Sequence, residues 1–309
     1  MGRRATMSRV SDLGLGWHPL PGGHSGRTFL ADAGGEPVVV RIYPPGEWRG
    51  DVAPEVDRSV LGLVRGLVPV PDVLEVRRPV AEQDLPGLLV TSFVPGERGD
   101  LVVDRLGAAG DTDALASLGR SLGGVAATLA GMPLLRPGPF VDAELRLGRF
   151  PTDDLLEWAA GRLRGWSDAR LDALSDVCGP AQALLDGVGR ASLVHGDLNP
   201  KNVLVAPGAL EVAAVLDWEY AHAGHPWTDL GNLLRFERHP AYVAAVLEAW
   251  VAGRGGDPAV LLEGARAADL WALVDLASRA GESPVADRAE TLLLAIAETG
   301  DLHAWPFGR

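Results

Sequence analysis

The stretch from Leu193 to Trp218 constrains this chain more than any other. It reads His195-Gly196-Asp197-Leu198-Asn199-Pro200-Lys201-Asn202, then a short β-branched run at Val203–Val205. A turn at Pro207-Gly208 follows, then a second run from Val212 to Leu216 that ends in Asp217-Trp218. Two β-branched runs around Pro-Gly predict a β-hairpin. The polar residues stand before its first strand and after its second. Asp197, Asn202 and Asp217 are therefore expected at one end of the hairpin, although Asp217 is distant along the chain. Two carboxylates and an amide oxygen are hard donors that suit Mg²⁺. If one carboxylate stays off the metal to orient a hydroxyl, the set has what phosphoryl transfer requires.

The same residues carry a family resemblance. His195-Gly196-Asp197-Leu198-Asn199-Pro200-Lys201-Asn202 with Leu216-Asp217-Trp218-Glu219 resembles the catalytic segment of the aminoglycoside phosphotransferase family. That resemblance implies an α+β, bilobal, protein-kinase-like fold: a small antiparallel-sheet lobe with one helix, then a larger, mainly helical lobe. It implies Asp197 as catalytic base, Asn202 and Asp217 as Mg²⁺ ligands, and His195 as a brace of the loop. Asn199 departs from the commoner His or Lys at its position. Asp229, near a helix start, matches an Asp that supports the catalytic loop from below.

Upstream, Leu20–Leu30 is a Gly-rich turn between strands, with Gly22, Gly23, Ser25 and Gly26 able to bring backbone amides close to an anion. Glu36–Tyr43 follows at the distance of the next strand. In the resembled family this strand carries a cation for the nucleotide's phosphates; here that residue is Arg41, where Lys is usual in protein kinases. Arg keeps the charge and adds a bidentate fork. A helix is expected over 53–67, with Val60, Leu61 and Val64 at helical spacing. The family places on it an acid paired with the strand's cation. Helical register favours Asp57 and side-chain reach favours Glu55; Glu55 is the choice. Val68–Val76 is extended because of its alternate prolines. Leu88–Val94 is a buried strand that runs into Pro95-Gly96, the expected hinge, and Ser92 to Val94 are the adenine-facing candidates.

The expected organisation is a leader at 1–14, a nucleotide-binding lobe at 15–96 and a helical lobe at 97–309. In the second lobe, helices are expected from 111 and over 152–164, 167–186, 240–254, 258–281 and 284–299, with capping residues at Asp111-Thr112 and Thr152-Asp153. Glu248, Asp269, Trp271, Asp275 and Glu282 lie on the last three or their ends. By resemblance these helices, with 152–164, supply an acidic acceptor pocket.

Composition narrows the partners. The formal charge of −13 disfavours nucleic acid and anionic membranes and attracts cations. No apolar run approaches the ~20 residues of a membrane span, and the basic N-terminus lacks a signal peptide's apolar core. The single cysteine, Cys178, fits a cytoplasmic chain and reads as packing. Lys201 is the only lysine and lies inside the active loop, where it is a candidate phosphate contact. His222 and His225 lack a third ligand at zinc spacing. The reading is transfer of a phosphoryl group from ATP, with GTP as the alternative donor, to a hydroxyl of a cationic small molecule such as an aminoglycoside. A metabolic kinase and a non-catalytic nucleotide-binding module are the other readings.

Overall fold

The architecture starts from strand β-branching and helix capping. In the computed structural model, which describes residues 17–20, 27–44, 46 and 49–308, the strands His18–Pro19 (β1), Arg27–Ala33 (β2), Glu36–Tyr43 (β3), Val73–Arg77 (β4) and Gly87–Ser92 (β5) form one sheet. Its order is β1-β2-β3-β5-β4, with every neighbouring pair antiparallel. The period-two alternation of β3 buries Val38 and Val40 on one face with Ala31. It sends Arg41 and Tyr43 to the other face, where Tyr43 joins the main core. Helix Ala53–Val64 (α1) covers that face with Val56, Val60, Leu61 and Val64.

Past the sheet, Phe93–Gly96 leads to a short strand, Glu97–Arg98 (β6). The helices Gly99–Ala109 (α2) and Thr112–Ala130 (α3) follow, then short strands Pro133–Leu134 (β7) and Gly138–Pro139 (β8). The rest of the chain supplies Leu155–Arg162 (α4), Asp168–Asp186 (α5), Ala191–Val194 (β9), Val203–Val205 (β10), Val212–Val215 (β11), His222–Gly224 (β12), Thr228–Leu234 (α6), Pro240–Arg254 (α7), Pro258–Ala277 (α8) and Pro284–Thr299 (α9). Strands β11-β10-β6 and β7-β9-β12-β8 make two further small antiparallel sheets. The antiparallel sheet region and the larger helical part are those of the expected α+β kinase-like fold.

Side-chain capping explains four of the nine helix starts among the described residues. Asp111, Asp154, Asp257 and Ser283 each accept a hydrogen bond from a first-turn amide of α3, α4, α8 and α9. The uncapped helix α2 was not expected; its first residue, Gly99, lies where an added Cβ would meet the Pro200 carbonyl oxygen at 2.6 Å. One continuous core runs from α1 and Tyr43 through Leu118, Leu122 and Trp250 to Leu198, Val203 and Val215, and so ties the sheet to the hairpin. A second core joins α4, α5, α8 and α9 and encloses Cys178, whose thiol burial pushes up to about 12. No helix among the described residues is long and apolar enough to cross a membrane.

Helices α3 and α7 approach closely through glycines. A Cβ on Gly123 would lie 2.4 Å from the Val246 carbonyl oxygen, whereas one on Gly124 meets nothing within 4 Å. Gly123→Ala is expected to cost about 1–3 kcal/mol by overpacking. Gly124→Ala is expected to gain about 0.5–1 kcal/mol from helix propensity. Urea midpoints of the two variants should move in opposite directions; a common shift would refute this account of the α3–α7 contact.

Candidate active site

The loop between β9 and β10 is built on buried Asp229, near the start of α6. Its Oδ2 accepts the His195 amide at 2.8 Å and its Oδ1 accepts the Gly196 amide at 3.0 Å. Burial raises this carboxyl's pKa, while His195 and the two amide bonds oppose the rise. Gly196 has φ of 81°, and a Cβ there would lie 2.4 Å from the Tyr220 carbonyl oxygen. Glycine is thus required both by conformation and by close approach. His195 is fully buried. Its Nδ1 accepts the Asp197 amide at 3.2 Å, and its Nε2 donates to the Leu216 carbonyl at 2.8 Å. Its ring lies 4.6 Å from that of Trp218. One imidazole therefore ties the loop to the strand end that carries Asp217.

The Asp197 carboxylate is held between two amides. Asn199 Nδ2 donates to Oδ1 at 2.8 Å, and Asn202 Nδ2 donates to Oδ2 at 2.8 Å. Asn199 Oδ1 also accepts the Lys201 amide at 3.1 Å, capping the tight turn Pro200–Asn202. This gives the departing residue Asn199 a definite task. The backbone of Asn202 accepts from Leu216 at 2.8 Å and extends the hairpin to the edge of Asp217. Asp217 sits in the left-handed region, φ 66° and ψ 55°, which turns its carboxylate away from the strand line. There Arg41 Nη1 donates to Asp217 Oδ1 at 2.6 Å, and Arg41 Nη2 donates to Glu219 Oε2 at 2.5 Å. Asp197, Asn202, Asp217 and Arg41 are thus linked in one continuous set of contacts.

Arg41 does not have the partner expected for it. Glu55 bonds Arg78 at 2.5 Å, and Asp57 takes the Tyr43 hydroxyl at 2.6 Å and Arg49 at 2.5 Å. Among the described residues neither acid bonds Arg41; Glu219 does, a residue that the sequence reading quoted without a role. The physical reason is direction. Arg41 reaches past α1 toward the hairpin, while Glu55 turns outward to Arg78. Arg41 stays firmly protonated: burial alone would lower its pKa, but Tyr43, Asp217 and Glu219 outweigh that.

Other expected residues divide similarly. Ser92 gives its amide to the Asp72 carbonyl at 2.8 Å, and its hydroxyl accepts the Asp72 amide at 2.9 Å. Its amide is therefore not free for a base. Val94 makes no backbone hydrogen bond among the described residues. The Lys201 ammonium has no hydrogen bond or ion pair there either. Gly22, Gly23, Ser25 and Gly26 lie outside the described residues.

Of the expected pocket acids, Asp269 is elsewhere engaged. It holds Arg235 through three hydrogen bonds of 2.7–3.0 Å, both residues buried. It also takes the Asn232 amide group at 3.3 Å, and Asn232 Oδ1 in turn accepts the Leu198 amide at 3.2 Å. This buried pair thus supports the β9–β10 loop from beneath. No local pattern links Arg235 to a residue 34 positions on. Asp275 bonds both Arg162 and Arg279, at 2.9 and 3.0 Å, while Glu248 and Glu282 are exposed. The Tyr220 hydroxyl's pKa is raised, by burial first and by Glu219, Asp197 and Asp275 as well. That carboxylate surrounding brings the C-terminal part of α8 to the Asp197 side of the site.

The donor chemistry fits a hard divalent cation. Asn202 Oδ1 and Asp217 Oδ2 make no hydrogen bond among the described residues and remain able to coordinate.

A part-buried aspartate set between amides, beside a carboxylate–guanidinium cluster, is an arrangement that a kinase-like phosphotransferase site requires. The model of the phosphotransferase enzyme family (APH) matches residues 16–263. The chain belongs to that family, whose enzymes act on hydroxyl groups of small molecules. The crystal structure of aminoglycoside phosphotransferase APH(4)-Ia superposes with a TM-score of 0.68 at 19% identity, covering 96% of this chain and 98% of that one. A microcompartment-associated aminopropanol kinase superposes at 0.65 and 18% identity, covering 95% and 96%. Among curated proteins, acyl-CoA dehydrogenase family member 11 of Mus musculus is 44% identical over 57 residues. That match takes in 18% of this chain and 7% of the mouse protein.

After β12, burial pushes the His225 imidazole down to about 4. The unfolded chain, with its imidazole near 6.5, takes up the proton first as pH falls. Stability contributed by neutral His225 is therefore present above pH 6.5 and is lost between about 6.5 and 4. His225→Gln should show a shallower fall in urea midpoint across that window than the parent; parallel profiles would refute the assignment.

Proposed function

We propose that this chain transfers the γ-phosphoryl group of ATP, with GTP as the alternative donor, to a hydroxyl of a small molecule. The observation that carries the reading is the Asp197 carboxylate, fixed by Asn199 and Asn202 next to the Asp217–Arg41–Glu219 cluster. Asp197 accepts a hydrogen bond from the acceptor hydroxyl and aims its oxygen at the γ-phosphorus. A new P–O bond forms as the bond to the β,γ-bridging oxygen breaks, ADP leaves, and Asp197 takes the hydroxyl proton late. Asn202 and Asp217 would hold Mg²⁺, which would supply positive charge against the charge developing on the phosphates. Arg41 keeps one arm on Glu219 and offers the other to the donor's phosphates. Lys201 adds a second cation on the loop. Positioning and fixed charge account for most of the rate.

A cationic aminoglycoside is the acceptor favoured by the acidic chain and by the solved neighbours, one of them a ternary complex with ADP and hygromycin B. One observation favours a second reading, a metabolite of lower charge. Asp275, one of the carboxylates that act on Tyr220, is already neutralised by Arg162 and Arg279. Arg162 also stacks 4.2 Å over Trp158, whose indole N–H bonds the Trp271 carbonyl. A polycation needs free carboxylates there. An acceptor panel of aminoglycosides, amino alcohols, sugars and hydroxy acids separates the two.

Asp197→Asn is expected to lower turnover by about 10²–10⁴ while ADP binding survives. Full activity in a coupled ADP-release assay would overturn its role. Asp217→Asn should abolish the Mg²⁺ dependence of nucleotide binding by calorimetry. Glu219→Gln should raise the KM for ATP about tenfold through loss of a charge-assisted bond, whereas Glu55→Gln should leave it unchanged. The reverse ranking would restore Glu55 as the partner of Arg41.

A further inference from the structure

Away from the catalytic loop, the first turns of α7 and α8 border an open cavity of about 550 Å³. Its wall includes Arg238, Pro240, Leu247, Leu262 and Arg266. In a chain of net charge −13, neither arginine forms an ion pair among the described residues. Arg266 is 93% buried, since its exposure is 7%. Its Nη1 donates to the Leu234 carbonyl at the end of α6, at 2.5 Å. Its Nε is buried with no hydrogen-bond partner, and so is Arg238 Nε. Three nearby acids have other partners: Asp269 is held by Arg235, Glu263 bonds His303 at 2.5 Å, and Asp301, which acts on Arg238, accepts the His303 amide at 2.8 Å.

Two further features point the same way. Pro240 opens α7, and this 15-residue helix has no side-chain cap at its N-terminus. Its first amides and the positive end of its dipole are thus left without a protein anion. The adjacent His239 Nδ1 is also buried without a partner. Burial lowers the pKa of both arginines, and Arg238 lowers that of Arg266 further by repulsion. Arg238 is part-buried and lies 4.8 Å over the Trp305 ring, whereas the buried Arg266 guanidinium lacks a carboxylate partner among the described residues, a cost that a bound anion would offset.

We propose that this cavity is a binding site for a small organic oxyanion, its carboxylate or phosphate group held by Arg238 and Arg266 and its apolar body lying on Leu247 and Leu262. Exposed Glu248, also in the wall, opposes the anion and sets a limit on its affinity. The site is separate from the phosphotransfer centre, although Arg266 and Leu198 of the catalytic loop both bond α6.

The test uses the full chain and two probes, inorganic phosphate and hexanoate, with hexanol as the uncharged control. Calorimetry is run with and without excess ADP, so that occupation of the catalytic cleft appears as competition. The expected result is ADP-independent binding of hexanoate or phosphate and none of hexanol. Arg238→Met should weaken it about tenfold or more, and Glu248→Gln should strengthen it. Arg238→Met should keep the parent's ADP affinity and thermal midpoint, which separates loss of the site from loss of the fold. Absence of binding by both probes, binding fully competed by ADP, or equal affinity in Arg238→Met would each overturn the site. Phosphate binding without hexanoate binding would overturn the apolar subsite.

Discussion

The two amide hydrogen bonds accepted by Asp229 are the constraint on which the active centre depends. A buried carboxylate has few ways to remain ionised, and accepting two backbone amides is one of them. Those amides belong to His195 and Gly196, so the demand for partners at Asp229 fixes where the loop turns. Gly196 can make that turn because it tolerates positive φ and the close Tyr220 carbonyl. His195, once positioned, has one ring nitrogen for the Asp197 amide and one for the Leu216 carbonyl. The placement of two distant aspartates therefore follows from one buried acid and one imidazole.

Beneath this, Asn232, Asp269 and Arg235 extend the support into α8. An ion pair this deeply buried is poor evidence for stability, because desolvation offsets much of the attraction. Its value is positional. Asn232 has its amide group on Asp269 and its oxygen on the Leu198 amide, so the loop's register is tied to a helix beginning at residue 258. Removing either charge would leave the other buried and unpaired, a larger loss than the pair's net worth.

What could be read from the sequence was what local chemistry decides. The hairpin was legible because β-branched runs flank a Pro-Gly turn, and α3 because Asp111-Thr112 marks its start. Helix α2 was not, since it begins at a glycine without a cap and owes its position to packing on Pro200. Asp197, Asn202 and Asp217 were legible as a set because hairpin geometry alone joins them. The partner of Arg41 was not. Register and reach could rank Glu55 against Asp57, but the outcome depended on Tyr43, Arg49 and Arg78 claiming those acids first. The fate of Asp269 likewise rested on an arginine 34 residues away.

The exchange of partners at Arg41 gives arginine a reason to stand where lysine is usual in protein kinases. A lysine ammonium is a single point of charge, whereas the guanidinium fork meets two carboxylates at once. Here the two arms divide between Asp217 and Glu219, which lie on one turn, two residues apart. Glu219 is nearly buried, with 4% of its side chain exposed, while Asp217 keeps 28%. The Glu219 arm is therefore the anchored one, and the Asp217 arm is the one that solvent, a metal or a phosphate can displace. The Glu219, Asp197 and Asp275 carboxylates all act on Tyr220, so acidic groups gather on this side of the cluster. Were the proposed Mg²⁺ and nucleotide to bind here, Asn202 and Asp217 would hold the cation, whose charge would offset part of that of the carboxylates. The part-exposed Asp217 contact, and not the buried Glu219 contact, is thus the half of this fork that is open to exchange.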